Sequence, residues 1–161
     1  MISKNLEAFL SALAWSEGTS NHPLTKHDGY DVIVYGTDMK PEVFTDFSNH
    51  PFANGRPGKV FNKAGQRSTA SGRYQFLVKY WDHYRKALRL PDFGPASQDK
   101  WAIALIKECK ALNDIELGHI GIAVNKCRSR WASLPGAGYG QREHTLENFI
   151  AAYKRAGGSV A

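Results

Sequence analysis

Glu17 is the residue whose position is hardest to explain by folding alone. At about 100° per residue, positions 6, 10, 13 and 17 share a narrow arc, so Glu17 continues the apolar stripe of Leu6, Leu10 and Leu13. A carboxylate stands where a leucine would pack better. It also falls at the carboxyl end of the expected helix, where the macrodipole disfavours negative charge, and partial burial adds a desolvation cost to ionisation. Both effects raise a pKa, which is how a glutamic acid stays protonated near neutrality and serves as a general acid. The competing view of Glu17 is a frayed last turn that sends the side chain into water.

Ser-Gly-Arg-Tyr-Gln at 71–75 is a second constellation. Gly72 allows close backbone approach, while Arg73, Tyr74 and Gln75 offer a fork of donors, a stacking ring and an amide at what reads as a helix amino terminus. Sugars need such a mixture, and an ordinary capped helix start has the same residues. A third run, WASLPGAGYGQ at 131–141, sets Gly136, Gly138 and Gly140 around Tyr139 and ends on Gln141. It lacks the Lys and Ser/Thr of a phosphate-binding loop and follows no strand, which leaves a ligand-facing loop or a tight interhelical one. The six histidines, at 22, 27, 50, 83, 119 and 144, show no HExxH or other metal spacing. Neither a metal nor a cofactor is expected, and no Ser-His-Asp or Cys-His set has supporting context.

The elements that must position these residues are mostly helical. Ser3 can cap a helix running to about Ser16, with Leu6, Phe9, Leu10, Leu13 and Ala14 at amphipathic spacing and Gly18 placed to end it. Tyr30, Val32 and Val34 alternate with Asp31 and Ile33 as a short strand, and 42–47 reads as a second, a candidate hairpin. From 48 to 71 the chain is rich in Gly and Pro and reads as irregular. Helical spacing returns after Ser71 through Tyr74, Leu77, Val78, Trp81, Tyr84 and Leu88. Further helices follow Pro95, run through Ile120, Val124, Cys127 and Trp131, and begin again at Leu146. The four tryptophans lie on helical stripes and read as core. The class is α+β, a mostly helical single domain spanning 1–161 with a small early β-sheet or hairpin.

The chain has 161 residues, 42% hydrophobic and 22% charged, a globular balance that sets aside disordered and coiled-coil classes. Its apolar runs are far shorter than the roughly 18 residues of a spanning helix, so it is not expected to be membrane-integral, and the amino terminus lacks a signal-peptide cleavage pattern. Cys109 and Cys127 match no metal or disulfide framework and are expected as free thiols. Twenty-one Lys and Arg against fifteen Asp and Glu leave +6, which predicts an anionic partner. Nucleic acid, an anionic membrane and the bacterial wall all qualify, because the charges are scattered with no run of five.

AWSEGT at 14–19, GYDVIVYG at 29–36, FTDFSNHP at 44–51, SGRYQ at 71–75 and RWASLPGAGYGQREH at 130–144 together resemble the phage lambda type of endolysin, in order and spacing across nearly the whole chain. The resemblance implies a lysozyme-like fold and a peptidoglycan lytic transglycosylase with Glu17 as its catalytic acid. It implies glycan strands as partner, a monomer, host cytoplasm before lysis and access to the wall through a holin lesion. The segment 48–68 departs most from the family pattern, being longer and richer in Gly and Pro. Tyr30, Asp31, Arg73, Tyr74, Gln75, Tyr139 and Gln141 are the expected substrate contacts. Gln75 stands out because SGRYQ resembles the glycine-to-glutamine motif shared by lytic transglycosylases and goose-type lysozymes. Two alternatives stay open: a hydrolytic muramidase using Glu17 and Asp31, and a non-catalytic basic nucleic-acid module, against which stands the lack of any recognised nucleic-acid signature.

Overall fold

Ser3 does what its residue type allows, its hydroxyl accepting the Leu6 N–H at 3.1 Å to start the first helix. In the computed structural model, which describes residues 1–138 and 143–161, the fold is α+β. The elements in chain order are α1 (Lys4–Ser16), β1 (Val32–Ile33), β2 (Glu42–Val43), β3 (Lys59–Val60), β4 (Arg67–Ser68), α2 (Trp81–Ala87), α3 (Pro95–Glu108), α4 (Leu112–Glu116), α5 (Ile120–Cys127) and α6 (Leu146–Arg155). They divide into two compact units, one of Met1–Glu17 with Ala102–Ala161, the other of Gly18–Trp101. Among the described residues no helix is long and apolar enough to cross a membrane.

In the helical unit, α1 packs against α6 and α4, and α5 against α4 and α6. The expected stripe of Leu6, Phe9, Leu10, Leu13 and Ala14 is buried throughout, with Phe9 meeting Phe149 edge-on at 5.4 Å. Thr145 caps α6 by accepting the Asn148 N–H at 3.1 Å. Cys127 is buried, Cys109 half-buried, and both are free thiols.

The other unit corrects several expectations. β1 and β2 pair antiparallel with Val32 opposite Val43, but each strand is only two residues long. Tyr30 and Asp31 belong instead to a turn, the Tyr30 N–H bonding to His27 O at 3.0 Å. The segment expected to be irregular contains a second hairpin, β3 with β4, pairing Lys59 with Ser68. Two-residue strands leave no alternation to read. No helix begins at Ser71: Ser71 and Phe76 exchange both backbone hydrogen bonds, at 3.0 and 2.8 Å, so 72–75 is a hairpin-like loop. Helical structure starts with a 3-10 turn at Val78–Tyr80 and continues as α2.

The aromatic spacing after Ser71 reflects core packing, not helix. Trp101 stacks on Phe76 at 4.0 Å and on Tyr84 at 5.2 Å, with Trp81 beside it at 5.8 Å. His50 is buried with them, its Nε2–H donating to Phe76 O at 2.8 Å and its Nδ1 accepting from Phe52 N at 3.2 Å. Burial holds this imidazole neutral, its pKa pushed down to about 4.

Candidate functional site

Glu17 is the cap residue of α1, and its N–H donates to Leu13 O at 2.8 Å. Gly18 then turns away with φ +73°, a left-handed conformation that suits glycine and stops the helix. The last turn is ordered, not frayed. Glu17 is half-buried, partly open to solvent and surrounded by enough protein to lose hydration. Desolvation pushes its pKa up to about 7, against the opposing pull of a hydrogen bond from Ser133.

Ser133 Oγ donates to Glu17 Oε1 at 3.0 Å and lies 2.8 Å from Ser16 Oγ. His144 braces both serines, its backbone N–H on Ser133 O at 3.0 Å and its Nε2 on Ser16 O at 3.1 Å, while its ring lies 4.4 Å from that of Trp15. None of these three was singled out from the sequence. Ser133 lies inside the 131–141 run, where the glycines drew attention, and Ser16 and His144 have no local signature.

The residues expected around 30 and 73 gather in the other unit, where most are occupied with one another. Tyr74 is fully buried and its hydroxyl donates to Asp99 Oδ1 at 2.6 Å, so its ring is not available to stack on a sugar. The Tyr30 hydroxyl donates to the same oxygen at 2.7 Å. Arg73 is 7% exposed; its guanidinium reaches Tyr74 Oη at 3.0 Å, Asp28 O at 3.0 Å and Asp28 Oδ2 at 3.4 Å, and covers the Tyr30 ring at 5.1 Å. Arg73 and Tyr74 thus hold the loop, with the Tyr74 hydroxyl and each guanidinium nitrogen of Arg73 engaged by protein groups. Asp31 is also a structural group. At 1% exposure it accepts from the Thr25 hydroxyl on Oδ1 and from the Lys26 N–H on Oδ2 at 2.9 Å, pinning the turn before β1.

Gln75 differs from these neighbours. It is half-buried with φ +54°, a region few non-glycine residues occupy, and its Nε2 donates to Gly72 O at 2.9 Å. Among the described residues no donor meets its Oε1, which leaves an amide carbonyl to accept from a ligand hydroxyl or N–H. Gln98 of α3 fixes the loop from beneath, accepting the Arg73 N–H at 2.9 Å and donating to Tyr30 O at 3.0 Å and Phe93 O at 2.8 Å. Sequence reasoning missed Gln98 and Asp99; the available signal was a polar Ser-Gln-Asp run in the first turn after Pro95. Tyr139 and Gln141 lie outside the described residues. No three His, Cys, Asp or Glu side chains gather as a metal would need, among the described residues.

One partly desolvated glutamic acid at a helix end, in an α+β fold with small hairpins and a glycine-to-glutamine loop, defines a lysozyme-like protein. Comparison with known proteins bears this out. The chain belongs to the endolysin family, whose model matches residues 7–160. It is 64% identical over 158 residues to the endolysin of Escherichia phage P2, covering 98% of this chain and 96% of that one. It is 50% identical over 160 residues to the endolysin of Escherichia phage lambda, covering 99% and 95%. Among solved structures, bacteriophage lambda lysozyme complexed with a chitohexasaccharide superposes with a TM-score of 0.90 at 48% identity, covering 100% of this chain and 99% of that one.

Proposed function

We propose that this chain is a peptidoglycan lytic transglycosylase that cuts the β-1,4 bond between N-acetylmuramic acid and N-acetylglucosamine, with Glu17 as acid and then base. The observation that carries this is the half-buried Glu17 carboxyl, held protonated to about pH 7. A general acid is most useful when its pKa lies near the working pH. Glu17 gives its proton to the glycosidic oxygen as the bond to C1 breaks. The C6 hydroxyl of the same muramic residue then bonds to C1, and its proton passes to the Glu17 carboxylate. Atoms balance without water, the acid is regenerated, and the product carries a 1,6-anhydro end.

Because that nucleophile is tethered, effective molarity can supply on the order of 7–11 kcal/mol at best. Two-carboxylate hydrolysis instead needs a second carboxylate free to act on water or on C1. Asp31, buried with both oxygens engaged, is poorly suited to that task. Gln75, through its open Oε1, is the better supported substrate contact, and Tyr139 and Gln141 stay in the proposed set. The glycan in the lambda lysozyme complex supports a sugar chain as the substrate class. In this view 1–161 works as one catalytic domain and as a monomer, waits in the host cytoplasm, and reaches the wall through a holin lesion.

Mass spectrometry of digested purified wall tests the proposal. Anhydro ends, one water lighter than reducing ends, are expected; reducing ends would make the enzyme a hydrolytic muramidase. Glu17→Gln should lower wall lysis by about a thousandfold with the fold intact.

A further inference from the structure

A carboxyl that must give up a proton has two oxygens, and only one can face the leaving group. Three contacts around Glu17 break the symmetry between them. Ser16 Oγ is 2.8 Å from Ser133 Oγ but 3.5 Å from Ser133 O, and that carbonyl already takes the His144 N–H at 3.0 Å. The Ser133 hydroxyl has a single proton, which goes to Glu17 Oε1 at 3.0 Å, so across the 2.8 Å contact the Ser16 hydroxyl donates and Ser133 Oγ accepts. The chain of donors runs one way, Ser16 to Ser133 to Oε1, and chained hydroxyls polarise one another.

Both serines are buried, at 4% and 8% exposure, and His144 fixes both from the backbone side, so the pair cannot easily turn to water. Among the described residues no donor reaches Oε2. Resting on the assignment of Glu17 as the acid, we propose that Ser133, oriented by Ser16, is a positioning residue that keeps Oε1 as an acceptor and leaves Oε2 as the oxygen that carries and delivers the proton. Ser133 makes no covalent contribution and ends the cycle as it began. Its bond to Oε1 persists in both charge states and is stronger to the carboxylate.

The test is the titration of Glu17, followed by carbon NMR of the labelled carboxyl without substrate, together with kcat, KM and the pH profile on purified wall. Ser133→Ala should move the Glu17 midpoint up by about one pH unit, as expected for loss of a hydrogen bond to a charged group. It should lower kcat about tenfold with KM little changed. Ser133→Thr, which keeps the hydroxyl, should restore both, and Ser16→Ala should move the midpoint in the same direction by less. An unchanged midpoint in folded Ser133→Ala, or no rescue by Ser133→Thr, would overturn the proposal. Should the midpoint move while Glu17→Gln still cuts wall, the serine hold on the carboxyl stands and the acid assignment is what fails.

Discussion

At the scale of single residues, the property that suits Glu17 to proton transfer is a burden on folding. In the unfolded chain it loses its proton through about 4.5, whereas in the folded protein it keeps it to about 7. Between those values the unfolded state binds fewer protons, so stability falls as pH rises across that window and stays reduced above it. Glu17→Gln keeps an acceptor for Ser133 and removes the ionisation. It should match the parent at pH 4 and gain up to about 3 kcal/mol at pH 8 by chemical denaturation. Asp31 should behave oppositely. Asp31→Asn places an amide against the Thr25 hydroxyl and the Lys26 N–H, and one misplaced donor should cost about 1–3 kcal/mol of stability. Activity per folded molecule should stay within a few fold. A thousandfold loss in that variant, measured at equal folded fraction, would return Asp31 to the chemistry.

Among the elements, the loop at 71–76 shows most clearly where a pattern misleads. Its aromatic and apolar residues recur at helical spacing because Tyr74 and Phe76 feed the same core as Trp81 and Tyr84, yet the chain reaches that core through a hairpin-like loop. Gly72 makes the loop possible. Its φ is +83°, and a Cβ there would stand 2.3 Å from Gln98 Oε1, the acceptor that holds Arg73 N. Gly72→Ala should therefore destabilise the protein by about 2 kcal/mol or more, by strain and by loss of the Gln98 bonds. Crystallography or amide exchange of Arg73 and Gln75 would register the change; a neutral melting temperature with unchanged exchange would contradict it. The helix α1 was legible because cap, stripe and stop agree, and α6 from its apolar spacing, whereas β3 and β4 were not because two residues carry no period.

For the whole molecule, the +6 charge is spread along the sequence, which fits long-range attraction to an anionic wall better than any shaped contact. Wall binding and lysis should fall as salt rises from about 10 mM to 150 mM, over which the screening length drops from roughly 30 to 8 Å. Cosedimentation with purified wall reads the binding directly, and salt-independent retention would rule out the net charge as its source. The sequence by itself determined the α+β class, the family, the bounds of α1 and the anomaly of Glu17, because each depends on residues near one another in the chain or on a motif set in fixed order. Only the tertiary structure decided which polar residues are free. Arg73, Tyr74 and Asp31 look like ligand groups until their partners at Asp28, Asp99, Thr25 and Lys26 are in place. Ser133, more than a hundred positions from Glu17, acquires its meaning only when folding brings a hydroxyl to a carboxyl oxygen. Hydrogen bonds act at 3 Å in space, and sequence separation carries no record of that distance.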